Sequence, residues 1–189
     1  MGSPLDFYGI TLLVLNTISF ALFLYISIFF TRSYLRAKIE SLGFFSLSFI
    51  LLTLSQFISA VSTVLEDPKL SLTMHTLSSS TASAAFLIML FSIRFSEREE
   101  VFIVVPPLIA LSFPDLISFA LSLVTSLLVK GKYLKNYILM LSITFLLRGV
   151  GSLLMLTQLG LYLIIFSEFL MALANLLFAL YHLKKVIVV

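Results

Sequence analysis

Three runs of this chain, residues 7–30, 41–65 and 70–93, contain no Asp, Glu, Lys or Arg over 24 or 25 positions. A helix rises about 1.5 Å per residue, so ~20 apolar positions cross the ~30 Å hydrocarbon core of a bilayer. Each run is long enough to span, and a single segment in lipid satisfies its own backbone polar groups only as a helix. Residues 136–156 and 159–183 are equally long and carry one charge each, Arg148 and Glu168. Composition agrees: 60% of residues are hydrophobic and 11% charged, with a mean hydropathy of +1.16, whereas soluble domains carry about 25% charge. The expected fold is an all-α integral membrane protein, one polytopic domain over residues 1–189. The absence of Cys excludes disulfides, thiolate metal sites and cysteine nucleophiles. With two Gln and three Asn, it also matches the avoidance of heat-labile side chains seen in thermophiles.

Residues 101–129 are too long for one helix, and Pro106, Pro107, Pro114 and Asp115 interrupt them. Proline removes a helical hydrogen bond and clashes with the preceding turn. Asp115 after Pro114 reads as an N-cap or turn residue. These residues divide the stretch into a short, Pro-broken fourth helix over 97–113 and a fifth over 115–132. Charge supports the division. With seven spans, Arg32, Arg36, Lys38, Arg94, Arg98, Lys130, Lys132, Lys135, Lys184 and Lys185 all fall on one side, and Lys69 alone on the other. Basic loops face the cytoplasm, so the expectation is seven transmembrane helices with the N-terminus outside and the C-terminus cytoplasmic, in the plasma membrane. The first run has no basic segment before it and is too long for a cleavable leader, so it reads as a permanent span. Tyr8 and Tyr162 near outer ends, and Tyr25, Tyr34, Tyr133, Tyr137 and Tyr181 near inner ends, form the expected interfacial belts.

Ser19-Phe20-Ala21-Leu22 recurs as Ser118-Phe119-Ala120-Leu121, residues 46–51 resemble 142–147, and 82–91 resemble 172–181. A duplication would give a parallel 3+1+3 plan: repeat one over 7–95, a linker helix over 97–113, and repeat two over 115–185. The competing explanation is that Leu/Ser/Phe-rich helices resemble one another by composition. The plan resembles the topology of PQ-loop and SWEET-type transporters, but no Pro-Gln dipeptide occurs, so none of their residues carries over. A retinal protein would need a lysine in mid-span of the last helix, and Lys184 and Lys185 lie at its end.

Arg148 and Glu168 each stand ten positions from Gln158 in the turn between the last two spans. An antiparallel hairpin brings them to one depth, ~15 Å in and near the midplane. An unpaired Arg there costs at least ~2.5–3.5 kcal/mol, so an intramembrane ion pair is expected, serving either as a structural clamp or as part of a binding cavity. Thr144 and Ser152 share the Arg148 face, and Asn175 the Glu168 face. His75 precedes the hydroxyl run Ser78-Ser79-Ser80-Thr81, and reads as a packing residue or as a ligand or pH sensor. Ser48, Ser55, Ser59 and Ser62 form one face of the second span, with Gln56 beside it and Asn16 in the first. Asn16, Ser55, Gln56, Ser59, His75, Ser79, Thr144, Ser152 and Asn175 are the candidate cavity lining. Serine stripes equally mark ordinary packing faces.

No catalytic, cofactor or metal motif is present, so the expected function is non-enzymatic. The leading expectation is a small transporter or permeation module; the alternatives are a seven-helix ligand-sensing module and an accessory subunit of a larger membrane complex. The expected partners are the lipid bilayer and a small-molecule ligand or solute, with a homo-oligomer or membrane-complex partner left open. Nucleic acid is not expected, because the basic residues flank spans.

Overall fold

The computed structural model describes residues 7–95, 114–154 and 157–187, and every element within them is helical. The helices are α1 (Phe7–Ala37), α2 (Glu40–Val64), α3 (Pro68–Phe95), α4 (Pro114–Leu128), α5 (Lys132–Leu153) and α6 (Gln158–Ile187). Five of them, all but α4, are long and apolar enough to cross a membrane, so the chain is a multi-pass helical membrane protein. The expected helix over 97–113 lies outside the described residues.

Helix ends follow local chemistry. α1 continues past its charge-free run through Arg32 and Arg36, whose long stems let the charge reach the interface. Lys38 then takes a left-handed φ of 52° and its N–H donates to the Tyr34 carbonyl at 2.7 Å, closing the helix. The Asp67 carboxylate accepts from the Lys69 N–H at 2.9 Å, and Pro68 at the first helical position needs no partner, which starts α3. α4 runs from Pro114 to Leu128 rather than over 115–132, because residues 129–131 leave the helix, Gly131 being extended, before α5 begins. At 15 residues it is only ~22 Å long.

Each helix packs on its neighbours in chain order, and α6 closes back on α1. Side-chain pairs give the directions. His75 and Ser79 meet Asp115 while Ser83 meets Ser118, so α3 and α4 run parallel. Tyr8 meets Tyr162 and Phe29 meets His182, so α1 and α6 also run parallel. The other adjacent pairs are antiparallel, as in Thr31 with Ser46, Ser55 with Ser78, and Tyr137 with Asn175. The triplets α1–α2–α3 and α4–α5–α6 therefore have the same sense around the ring.

The interior is divided along its length. One end of the bundle carries Arg32, Arg36, Lys38, Lys130, Lys132 and Lys135 and is called here the basic end. In the half nearer to it, Phe23, Phe30, Phe49, Phe86, Met89, Leu141 and Phe178 pack into an apolar core. Phe30 and Phe49 stack at 4.7 Å, and Tyr137 and Phe178 at 4.1 Å. In the other half the buried side chains are mostly polar: Asn16, Ser59, Ser62, Ser78, Ser79, Asp115, Arg148 and Glu168. Outward-facing positions are the reverse of a soluble fold, with Val14, Ile18, Leu54, Phe57, Phe166, Phe169 and Leu180 all about half exposed. A surface of that kind is stable against lipid.

Candidate functional site

Arg148 lies on α5 with none of its surface exposed, and three other helices supply its partners. Nη1 donates to Glu168 Oε1 of α6 at 3.1 Å. Nη2 donates to the Ser79 and Ser78 hydroxyls of α3 at 3.1 and 3.4 Å. Nε stands 3.3 Å from Asp115 Oδ1 of α4. Ser79 ties the group together, since its hydroxyl accepts from Arg148 and donates to Asp115 Oδ1 at 2.6 Å. On the far side of Asp115, Oδ2 faces His75 Nε2 at 3.5 Å. The structure thus brings Arg148 and Glu168 together and adds a second carboxylate.

Local sequence explains the convergence. Asp115 is in the first turn of α4, where the helix dipole favours a negative charge. Gly149, next to Arg148, lets α4 approach α5: a Cβ there would stand 2.9 Å from Leu116 Cδ2 and 3.4 Å from Asp115 Cβ. Ser78 and Ser79 belong to the hydroxyl run of α3, and Ser78 is held by reciprocal bonds with Ser55, each hydroxyl donating to the other's carbonyl at 2.8 Å.

The depth differs from the sequence expectation. α5 ends at Leu153 and α6 starts at Gln158, so Arg148 is five residues, ~7.5 Å, from its helix end while Glu168 is ten residues, ~15 Å, from its own. The long Arg side chain covers the difference. The cluster therefore sits in the half of the bundle away from the basic end.

The other expected lining residues divide three ways. His75 and Ser152 line a cleft of about 210 Å³ between α3, α4 and α5, with Thr76, Pro114, Asp115 and Gly149. Ser79 is buried in the cluster. Ser55, Ser59 and Thr144 are buried at helix contacts. Ser55 joins α2 to α3, the Ser59 carbonyl accepts from Ser62 at 2.7 Å, and the Thr144 hydroxyl donates to the Leu141 carbonyl at 2.6 Å. Asn16, Gln56 and Asn175 are buried elsewhere in the bundle: Gln56 Nε2 donates to the Met171 sulfur at 2.7 Å, and Asn175 Oδ1 accepts from the Tyr137 hydroxyl at 2.7 Å. Tyr137 is correspondingly no interfacial belt residue, being 3% exposed in the core.

Asp115 is the cluster residue that sequence reasoning does not single out, since its place after Pro114 reads as an N-cap or turn residue. One signal was available: in the repeat register that aligns Ser118 with Ser19, Asp115 aligns with Asn16, and both are buried polar residues, although Asn16 lies well inside α1 and Asp115 in the first turn of α4. Among the described residues, no three ligating side chains converge as a metal site requires. No family model, curated protein or solved structure matches the chain.

Proposed function

We propose that this protein is a small-solute transporter or permeation module, without enzymatic activity, in the plasma membrane. The observation that carries this is the division of the interior: a charged cluster at the floor of a cleft in one half, and a packed aromatic core closing the other. A purely structural clamp gains nothing from an opening beside it, whereas a solute site needs both a path in and a closed barrier beyond. The cluster is reached from the cleft through Asp115 and His75, and movement of one triplet against the other across the parallel α3–α4 and α6–α1 contacts would open the barrier.

We further propose seven spans in a 3+1+3 plan, with the basic end cytoplasmic and the N-terminus outside. The parallel direction of α3 and α4 supports this. Phe95 lies 16 residues beyond Ser79, so the two ends joined by residues 96–113 are ~24 Å apart along the bundle, about the rise of an 18-residue helix.

The Cys-free background makes the test clean. A single Ser152→Cys variant in sealed vesicles of either orientation is treated with a membrane-impermeant maleimide. Alternating access requires labelling from the outside and, more slowly, from the cytoplasmic side. A cysteine that reacts from neither side would leave only the clamp. The same assay at Lys69→Cys and Lys132→Cys must report opposite sides, and outer labelling at position 132 would end the seven-span plan.

A further inference from the structure

Glu168 and Asp115 supply two carboxylates to the guanidinium of Arg148, so these three side chains carry a surplus negative charge, and His75, partly exposed on α3, is the remaining ionisable side chain of the described residues at the cluster. α1 and α2 bring only neutral groups towards the bundle interior at this end, among them Asn16, Ser55 and Gln56. Glu168 Oε2 is buried without a hydrogen-bond partner among the described residues, as is Arg148 Nε, which meets Asp115 only as an ion pair at 3.3 Å. A surplus negative charge in a low-dielectric interior is costly unless a cation joins it.

The cleft is shaped to admit one. Asp115 Oδ1 is turned to Ser79 and Arg148, while Oδ2 is turned to His75 on the cleft side, where 3.5 Å is too long for a firm hydrogen bond. A carboxylate oxygen accepts two hydrogen bonds, so Oδ2 has acceptor capacity left on the cleft side. The hydroxyl of Ser152, which lines the cleft from α5, has no hydrogen-bond partner among the described residues. Leu72, Leu116 and Leu153 supply apolar walls around these acceptors. At ~30 Å³ for each water-sized group, 210 Å³ holds about seven heavy atoms.

We infer that this cleft binds a small organic ammonium cation, its N–H groups donating to Asp115 Oδ2 and the Ser152 hydroxyl and its apolar body lying against the leucine walls. The ammonium arises either from a free amine or from the headgroup of an aminophospholipid. The inference deepens the transport proposal by naming the class of solute, and rests on it only for the idea that the ligand is carried.

The test uses the full chain, purified and delipidated in detergent, with thermal unfolding as the readout. Cyclohexylammonium, of seven heavy atoms, should raise the midpoint in a dose-dependent way, while cyclohexanol and cyclohexanecarboxylate at equal ionic strength should not. Asp115→Asn, which leaves Arg148 its Glu168 partner, should weaken the ammonium response at least tenfold. Ser152→Leu, which fills the cleft without touching the charges, should abolish it and serves if Asp115→Asn does not fold. In nanodiscs, phosphatidylethanolamine in place of phosphatidylcholine should suppress the response if the lipid is the source and leave it intact if a free amine is. Equal stabilisation by the alcohol, or a full response in either variant, would overturn the inference. An absent ammonium response with two-sided labelling of Ser152→Cys would refute this inference alone; binding with labelling from neither side would refute transport alone.

Discussion

Removing Glu168 tests the architecture of the buried charges directly. If Arg148 had Glu168 as its sole counterion, as the hairpin alone suggests, Glu168→Gln would strand a buried guanidinium and cost about 3–5 kcal/mol. The structure assigns Arg148 a second carboxylate 3.3 Å from Nε and two serine acceptors. Gln keeps an acceptor at the Oε1 position, so the substitution exchanges one charged hydrogen bond for a neutral one, about 1 kcal/mol. Asp115→Asn should cost a similar ~1 kcal/mol by the same argument. The double variant strips Arg148 of both charges and should cost about 3–5 kcal/mol, exceeding the sum of the singles by roughly 1–3 kcal/mol. Arg148→Met leaves two carboxylates facing each other without a cation and belongs in the same ~3–5 kcal/mol class, while adding it to the double variant should recover most of the loss. Equilibrium unfolding in mixed micelles measures all five variants on one scale. Additive single effects, or a Glu168→Gln loss as large as that of the double variant, would show that Asp115 does not share the load.

Gly160→Ala should destabilise by about 2–3 kcal/mol, because a Cβ there runs into the Leu154 carbonyl and stands 2.8 Å from the Gly151 carbonyl oxygen, backbone that cannot turn aside; unfolding in the same micelles would show a loss below ~1 kcal/mol if the α5–α6 approach is looser. Gln56→Met should be neutral or stabilise by up to about 1 kcal/mol, since Gln56 Oε1 is buried without a hydrogen-bond partner among the described residues and leaving such an atom unpaired is itself costly. A clear loss in thermal midpoint for that variant would mean that Gln56 holds a partner through water.

The helices were legible in the chain because the free energy of burying side chains in lipid adds up locally along a segment. Three runs without a charge, and two with one charge each, need no knowledge of neighbours to be recognised as spans. The Arg148–Glu168 encounter was legible for the same reason, because a short turn makes two residues on one hairpin near neighbours wherever the hairpin packs. Asp115 was not, since its partners come from α3, α5 and, through Arg148, α6, and nothing near it in sequence distinguishes a capping carboxylate from a counterion. Tyr137 was misplaced on similar grounds: its position near a helix end suits an interfacial ring, and only the approach of α6, which puts Asn175 2.7 Å from its hydroxyl, buries it. The order of the ring, the parallel contacts α3–α4 and α1–α6, and the separation of a polar half from an aromatic half all depend on which helix faces become neighbours. Hydropathy is a sum over one segment and carries no information about that choice; packing decides it, by matching glycines to close approaches, hydroxyls to carbonyls and carboxylates to the buried Arg148.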